Sequence, residues 1–209
     1  MKLVFLPIVC LFGGTISAHP ILEKRQFLPL FPGSQQTQPE VQLRATGALI
    51  QRAWGEVGQS YSALTTAFRC VSAASANPPP NLLLNCGVGE AHKAIASKLY
   101  ETTSRFAPDA VINYIEAGSS MLAASTSLTM VENQAFRALD DNWAVSVRTG
   151  ERQLVYESLV QQLGLFNTWA KAYNNLMPIG TKTAGDMAEA GVVRQYQALI
   201  KKYQWDAPS

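Results

Sequence analysis

Charge is scarce in this 209-residue chain: Asp, Glu, Lys and Arg make up 15% of it. The basic residues do not cluster. Counterion release from nucleic acid needs Lys and Arg gathered together, and so does a polybasic contact with an anionic bilayer. Nucleic acid is therefore not an expected partner, and neither is a charged membrane surface. Histidine is rarer still, with only His19 and His92, and cysteine is limited to Cys10, Cys70 and Cys86. A metal site would need more ligands than these provide, so no metal and no cofactor is expected. The nucleophile elbow G-x-S-x-G, the H-E-x-x-H zinc helix and a phosphate loop are all missing, which lowers the expectation of an enzyme. No Asn-x-Ser/Thr sequon occurs. No internal apolar run is long enough to span a bilayer. No apolar tail follows Lys201-Lys202-Tyr203, so a GPI anchor is not expected. Alternating strand patterns bounded by hairpin turns are lacking as well.

What is present begins with an address. Residues 1–18 have the form of a secretory signal peptide: Lys2, then the apolar run Leu3 to Phe12, then small residues ending in Ala18. Gly13-Gly14 and Pro20 argue against a buried N-terminal helix. Residues 19–25 read as a short pro-segment ending in the dibasic pair Lys24-Arg25, a site for a processing protease. Cleavage there removes Lys2, Lys24, Arg25 and Glu23, leaving fourteen basic and fourteen acidic side chains and a net charge near zero. Cys10 leaves with the signal. Cys70 and Cys86 remain, with fifteen residues between them that include Pro78-Pro79-Pro80. In an oxidising compartment this pair is expected to close one structural disulfide.

About 184 residues follow Arg25, enough for one domain with a core. Residues 26–40 carry Pro29, Pro32, Gly33, Pro39 and several glutamines and read as an irregular leader. Residues 41–205 are expected to form a helical domain. In the first long helix, opening at Glu40, Ile50, Trp54, Val57, Tyr61, Leu64, Phe68 and Val71 recur at steps of three and four, marking one buried stripe. Val155, Leu159, Gln162, Phe166, Trp169, Tyr173 and Leu176 repeat the pattern. Between them lie shorter stripes: Ala91, Ile95, Leu99 and Phe106; then Val111, Ile115 and Leu122 after Pro108-Asp109; then Val131, Ala135, Leu139 and Trp143. Ser125 to Thr129 is an expected bend. Ala188, Val192, Leu199 and Tyr203 mark a last helix. The predicted fold is all-α, a single bundle of five or six roughly antiparallel helices with one disulfide. Leu82, Leu83 and Leu84, inside the disulfide loop, are expected to cover one end of it.

The polar candidates for chemistry are weak. His92 sits early in a helix and is expected to be exposed or half-exposed. Asp140 and Asp141 are adjacent and point about 100° apart on a helix, so they read as a solvated face rather than a catalytic pair. The aromatics carry more. Trp54, Tyr61 and Phe68 share one seam, Phe166, Trp169 and Tyr173 another, with Phe136 and Trp143 on a third element. Such residues serve equally as core and as walls of an apolar pocket. Gln162, polar within its seam, is either a head-group contact or a core amide bonded to a neighbour.

The order of these elements resembles the fungal hydrophobic-surface-binding and cell-wall mannoprotein family. The resemblance lies in Ala48 to Phe68, with its Ala63-Leu64-Thr65-Thr66-Ala67 stretch; in Asp109-Ala110-Val111-Ile112-Asn113-Tyr114-Ile115; and in Tyr173 to Tyr203, where Leu176-Met177-Pro178 precedes a helix closing on Ala198-Leu199-Ile200. It covers most of residues 41–203. It implies a secreted helical domain that adsorbs to hydrophobic surfaces or holds fatty acids between helices, with no catalytic signature. The cysteine pair, the four tryptophans and the proline-rich loop depart from that pattern. The leading expectation is a secreted, non-enzymatic protein, extracellular or in the cell wall, whose partner is a hydrophobic surface or a fatty-acid-like ligand. The alternatives are an extracellular module engaging a cell-wall or host protein, and a secreted enzyme.

Overall fold

The computed structural model describes residues 44–107 and 110–204, apart from the side chains of residues 125 and 126. The signal peptide, the pro-segment with Lys24-Arg25 and the 26–40 leader lie outside the described residues, as do Pro108-Asp109 and the outermost residues of the 41–205 domain.

The first helix, α1, spans Gly47–Ala73. It starts later than Glu40 because Thr46 adopts an extended backbone and its hydroxyl accepts the Leu49 N–H at 3.3 Å, a side-chain N-cap. All seven residues of the stripe from Ile50 to Val71 are buried. After the prolines come the single-turn α2 (Leu82–Asn85) and α3 (Val88–Thr103). Next is α4 (Tyr114–Ala123), capped by the Asn113 side chain, which accepts the Glu116 N–H at 2.9 Å. A π-helical turn, Ala124–Leu128, joins it without a break to α5 (Thr129–Asp141). The short α6 (Trp143–Arg148), the long α7 (Arg152–Leu176) and α8 (Ile179–Gln204) complete the chain.

The fold is all-helical among the described residues, with eight α-helices rather than five or six. The difference has local causes. Asn142 interrupts the helix expected to run through Trp143: its amide donates to the Ala138 carbonyl at 2.9 Å and its side-chain oxygen accepts from Ser72 at 3.0 Å. α2 forms inside the disulfide loop. The long rods nevertheless number five, with α4, the π turn and α5 acting as one. Successive rods reverse direction, yet several neighbours run parallel. His92 and Thr102 of α3 meet Gln162 and Trp169 of α7 in the same order. Asn133 and Asp140 of α5 meet Gln195 and Lys202 of α8 likewise.

Cys70 and Cys86 are bonded, with their Cα atoms 5.7 Å apart, so the end of α1 is tied to the start of α3. Leu82 and Leu83 are buried against this end of the bundle, whereas Leu84 is exposed. Glu151 accepts the Leu83 and Leu84 backbone N–H groups, each at 2.9 Å, and so caps α2 from the start of α7.

The stripe expected on α4 is a correction. Val111 precedes the helix, and Val111, Ile115 and Leu122 are all exposed, Ile115 at 87%. Ile112, Ala117 and Ser120 face inward instead. Close packing sets the face: α4 lies against Gly47 of α1, where small residues fit and side chains the size of Ile115 and Leu122 do not. Ser120 then donates to the Gly47 carbonyl at 3.3 Å, and the Cβ atom that Gly47 lacks would sit 3.0 Å from the Glu116 Cβ. α4 and α1 approach closely on small residues.

Candidate functional site

The aromatic residues divide into two groups along the bundle. Tyr61 and Tyr196 are fully buried at mid-height, their hydroxyls 2.7 Å apart. Phe136 packs edge-on against both rings. Gln162 lies beside them. Its amide donates to the His92 carbonyl at 3.0 Å and faces His92 Nδ1 at 2.9 Å, and its carbonyl oxygen accepts from the Tyr196 hydroxyl at 3.5 Å. Gln162 is thus a core amide bonded to its neighbours. His92 is not exposed as its sequence surroundings suggest but 2% exposed, because α3 turns this face toward α7, where the Gln162 amide receives it. Burial pulls its imidazole down to about 4, opposed by the Gln162 hydrogen bond, so the ring is neutral near pH 7.

Toward the disulfide, Phe68 is fully buried in the core. Trp143 is half-buried; its indole N–H donates to the Lys202 carbonyl at 3.0 Å, and the Lys202 ammonium lies 5.7 Å from the ring centre. Tyr61, Phe68, Phe136, Trp143 and Gln162 belong to the packed interior or its edge and do not wall the aromatic-lined cavity.

Trp54, Phe166, Trp169 and Tyr173 do. They border a cavity of about 460 Å³ enclosed by α1, the α4–α5 rod, α7 and α8. Trp169 is fixed by an indole N–H donated to Thr102 at 2.9 Å, and Tyr173 by its hydroxyl on the Thr102 carbonyl at 3.4 Å. Trp54 tilts against Tyr173 with ring centres 5.8 Å apart. Aliphatic residues, among them Met121, Leu128 and Val192, fill most of the remaining wall, and α8 contributes Ala184, Gly185 and Ala188. These small residues keep α8 from closing the space.

Three polar features interrupt this lining. Glu132, 3% exposed, lies in the wall, and its Oε1 has no hydrogen-bond partner among the described residues. Burial alone pushes its carboxyl up to about 8. The Trp54 indole N–H is also buried and unpartnered there. At the rim, the Asn174 amide donates to Asp186 at 2.9 Å and Glu189 at 3.4 Å. Glu189 is raised by burial and then by Asp186, with Lys171 opposing.

The sequence reading missed Glu132, which stood in no motif. A signal for it existed: Leu128, Glu132, Ala135 and Leu139 share one helical face, so an acid was set in an apolar stripe. The reading also missed Tyr196, which lies between Val192 and Leu199 on the buried face of α8.

The exposed apolar side chains lie partly beside this cavity. Leu122 both borders it and reaches solvent, and Tyr114, Ile115, Met187 and Ile179 are exposed on the same two helices, Ile179 at 85%. No helix among the described residues is long and apolar enough to cross a membrane. Compared with known protein families, curated proteins and solved structures, the chain matches none.

Proposed function

We propose that this chain is a secreted, non-enzymatic binding protein that takes a lipid-like apolar ligand into the cavity between α1, α5, α7 and α8. The cavity itself carries the reading. Its volume lies within the range of small-molecule sites, roughly 300–1,000 Å³, and its character matches theirs: mostly apolar and aromatic, with a few polar groups placed in the wall. A folded core ordinarily fills such space. Here four aromatic rings border it without closing it, and two of its wall residues, Trp54 and Glu132, each carry a buried polar atom with no partner among the described residues. The resemblance to the hydrophobic-surface-binding and cell-wall mannoprotein family points the same way, and extracellular or cell-wall placement follows from the signal-like N-terminus.

Adsorption to a hydrophobic surface, or docking on an extracellular protein, is a second reading. It is favoured by the exposed Tyr114, Ile115, Leu122, Ile179 and Met187. The two readings separate experimentally. Nile red, a neutral apolar dye, is expected to bind with enhanced emission, and the rim variant Ala188→Phe is expected to abolish that binding while leaving the circular dichroism unchanged. Organic extraction of protein secreted by its native source, followed by mass spectrometry, is expected to release a bound lipid. If dye uptake survives in Ala188→Phe but disappears in Ile115→Ser/Ile179→Ser, the ligand site is the outer surface and the cavity reading fails.

A further inference from the structure

The head group that suits this cavity is written in its charges. Among the described residues that wall it, none is Lys, Arg or His, while two, Glu132 and Glu189, are acids. Asp186 stands beside Glu189, joined to it through the Asn174 amide. The nearest opposing charge felt by Glu189 is Lys171, which is not part of the wall. Every element around the floor repeats the pattern. The wall presents neutral Trp54 from α1, Phe166, Trp169 and Tyr173 from α7, and the acid Glu189 from α8, and behind it the neutral Tyr61 and Tyr196 lie close enough to feel Glu132. The faces of aromatic rings carry partial negative charge and attract cations, most strongly where water is excluded.

We propose that the ligand is a cationic amphiphile: one aliphatic chain ending in a protonated primary amine, its N–H donated to Glu132 Oε1 among the rings of Trp54, Phe166, Trp169 and Tyr173. This rests on the reading of the cavity as a binding site and specifies its substrate class. A buried carboxyl oxygen without a partner is a costly group; an ammonium placed beside it favours the ionised form of Glu132, which is otherwise protonated, and satisfies that oxygen with a charge-assisted N–H. A fatty carboxylate in the same place would bring a further negative charge into a wall that offers it no cation. An alcohol would satisfy Oε1 but gain nothing from the aromatic faces or the acidic rim. The primary amine uses all three features.

Displacement of Nile red by n-decylamine, n-decanol, n-decanoate and n-decyltrimethylammonium, each below its micelle concentration at pH 7, is the test. Decylamine is expected to displace the dye with an affinity about tenfold or more above that of decanol, and further above decanoate, as a charge-assisted hydrogen bond implies. Glu132→Gln keeps the side-chain volume and removes the charge. It is expected to erase the preference for amine over alcohol, read as the ratio of the two displacement affinities within the variant so that any change of dye affinity cancels. Decanoate equal to or better than decylamine overturns the proposal, as does an amine preference that survives Glu132→Gln. Decyltrimethylammonium, which has no N–H to donate, is expected to bind more weakly than decylamine; equal binding would move recognition from Oε1 to the ring faces and overturn the primary-amine assignment. Failure of the dye to bind the wild-type protein, or dye binding unaffected by Ala188→Phe, is a different result: it removes the cavity as the site and leaves no ground for the head-group assignment.

Discussion

The two ends of this bundle solve the same packing problem differently. At the disulfide end the loop returns as α2, Leu83 is fully buried, and the freed backbone N–H groups of α2 are received by Glu151. The Tyr203 hydroxyl donates to the Leu139 carbonyl at 2.7 Å. At the other end Trp54 and Glu132 are also buried, but Trp54 Nε1 and Glu132 Oε1 have no partner among the described residues, and the space they border stays open. Both ends contain a buried carboxyl. Glu151 is matched with two donors, whereas Glu132 is left with an unpartnered oxygen in an apolar wall. Rigidity is concentrated where nothing has to enter, and unsatisfied polarity where something can.

The sharpest way to break this comparison is truncation at each end. Phe68→Ala, in the closed half, is expected to cost about 3–5 kcal/mol in urea unfolding, since the cavity it leaves has no route to relax. Trp54→Ala removes a larger ring from a wall that already faces open space, and is expected to cost less. Equal or reversed costs would show that the two halves are packed alike. Next in size is the staple. Replacing Cys70 and Cys86 together by serine is expected to lower stability by about 2–4 kcal/mol with helical content retained. Two titratable thiols in the unreduced, unfolded wild type would remove the premise.

The pH profile separates the ends by sign. Glu132 keeps its proton in the folded chain up to about 8, but an unfolded glutamic acid releases it near 4.5. Its contribution is therefore present at low pH and lost as pH rises from 4.5 through 8. His92 stays neutral in the fold down to about 4, while the unfolded ring takes up a proton near 6.5. Its contribution is present above 6.5 and lost as pH falls toward 4. The two slopes oppose one another between 4.5 and 6.5, giving a plateau there with a decline on each side. Glu56, held below the usual carboxylate range by its hydrogen bonds to Arg105 at 2.8 and 3.2 Å, steepens the acid side. Glu132→Gln is expected to flatten the alkaline decline, worth about 2–4 kcal/mol by pH 8, and to leave the acid decline in place. Urea midpoints measured at each pH from 4 to 8 test this; an unchanged alkaline limb in the variant would contradict it.

The smallest effect concerns the boundary between the halves. Tyr61→Phe removes the 2.7 Å hydroxyl contact and leaves Tyr196 with only its longer bond to Gln162. A loss of about 1–2 kcal/mol is expected. A change of dye affinity in this variant exceeding its change of stability would mean that the boundary also shapes the cavity.

The two long stripes, in α1 and α7, were legible in the sequence in full. Every residue named in them is buried, because 3.6-residue periodicity needs only one partner surface to become visible. The disulfide was legible from cysteine number and spacing. Three things were not. The inward face of α4 depended on its close approach to Gly47 of α1, which takes Ala117 and Ser120 inside and leaves the larger Ile115 and Leu122 outside, against the usual apolar pattern. His92 looked exposed because its burial depends on Gln162, seventy residues away. For the aromatic stripes, periodicity assigns Trp54 and Phe68 to one buried face alike; only the opposing small residues of α8, Ala184, Gly185 and Ala188, decide which ring meets a neighbour and which meets open space.

The π turn also makes this rod a place where chain length is negotiable. Elsewhere in a helix, losing one residue turns everything beyond it off its contacts. Between Ala124 and Leu128 a one-residue deletion can be absorbed by reverting to ordinary α winding, which leaves the faces of α4 and α5 on either side where they are. A one-residue deletion in that stretch would therefore leave Ala117 and Ser120 inside and Ile115 and Leu122 outside, whereas the same deletion elsewhere in the rod would turn these faces. In a homologous chain, one residue fewer between the Asn113 cap and the Glu132 position would mark the loss of the π turn with the two faces kept.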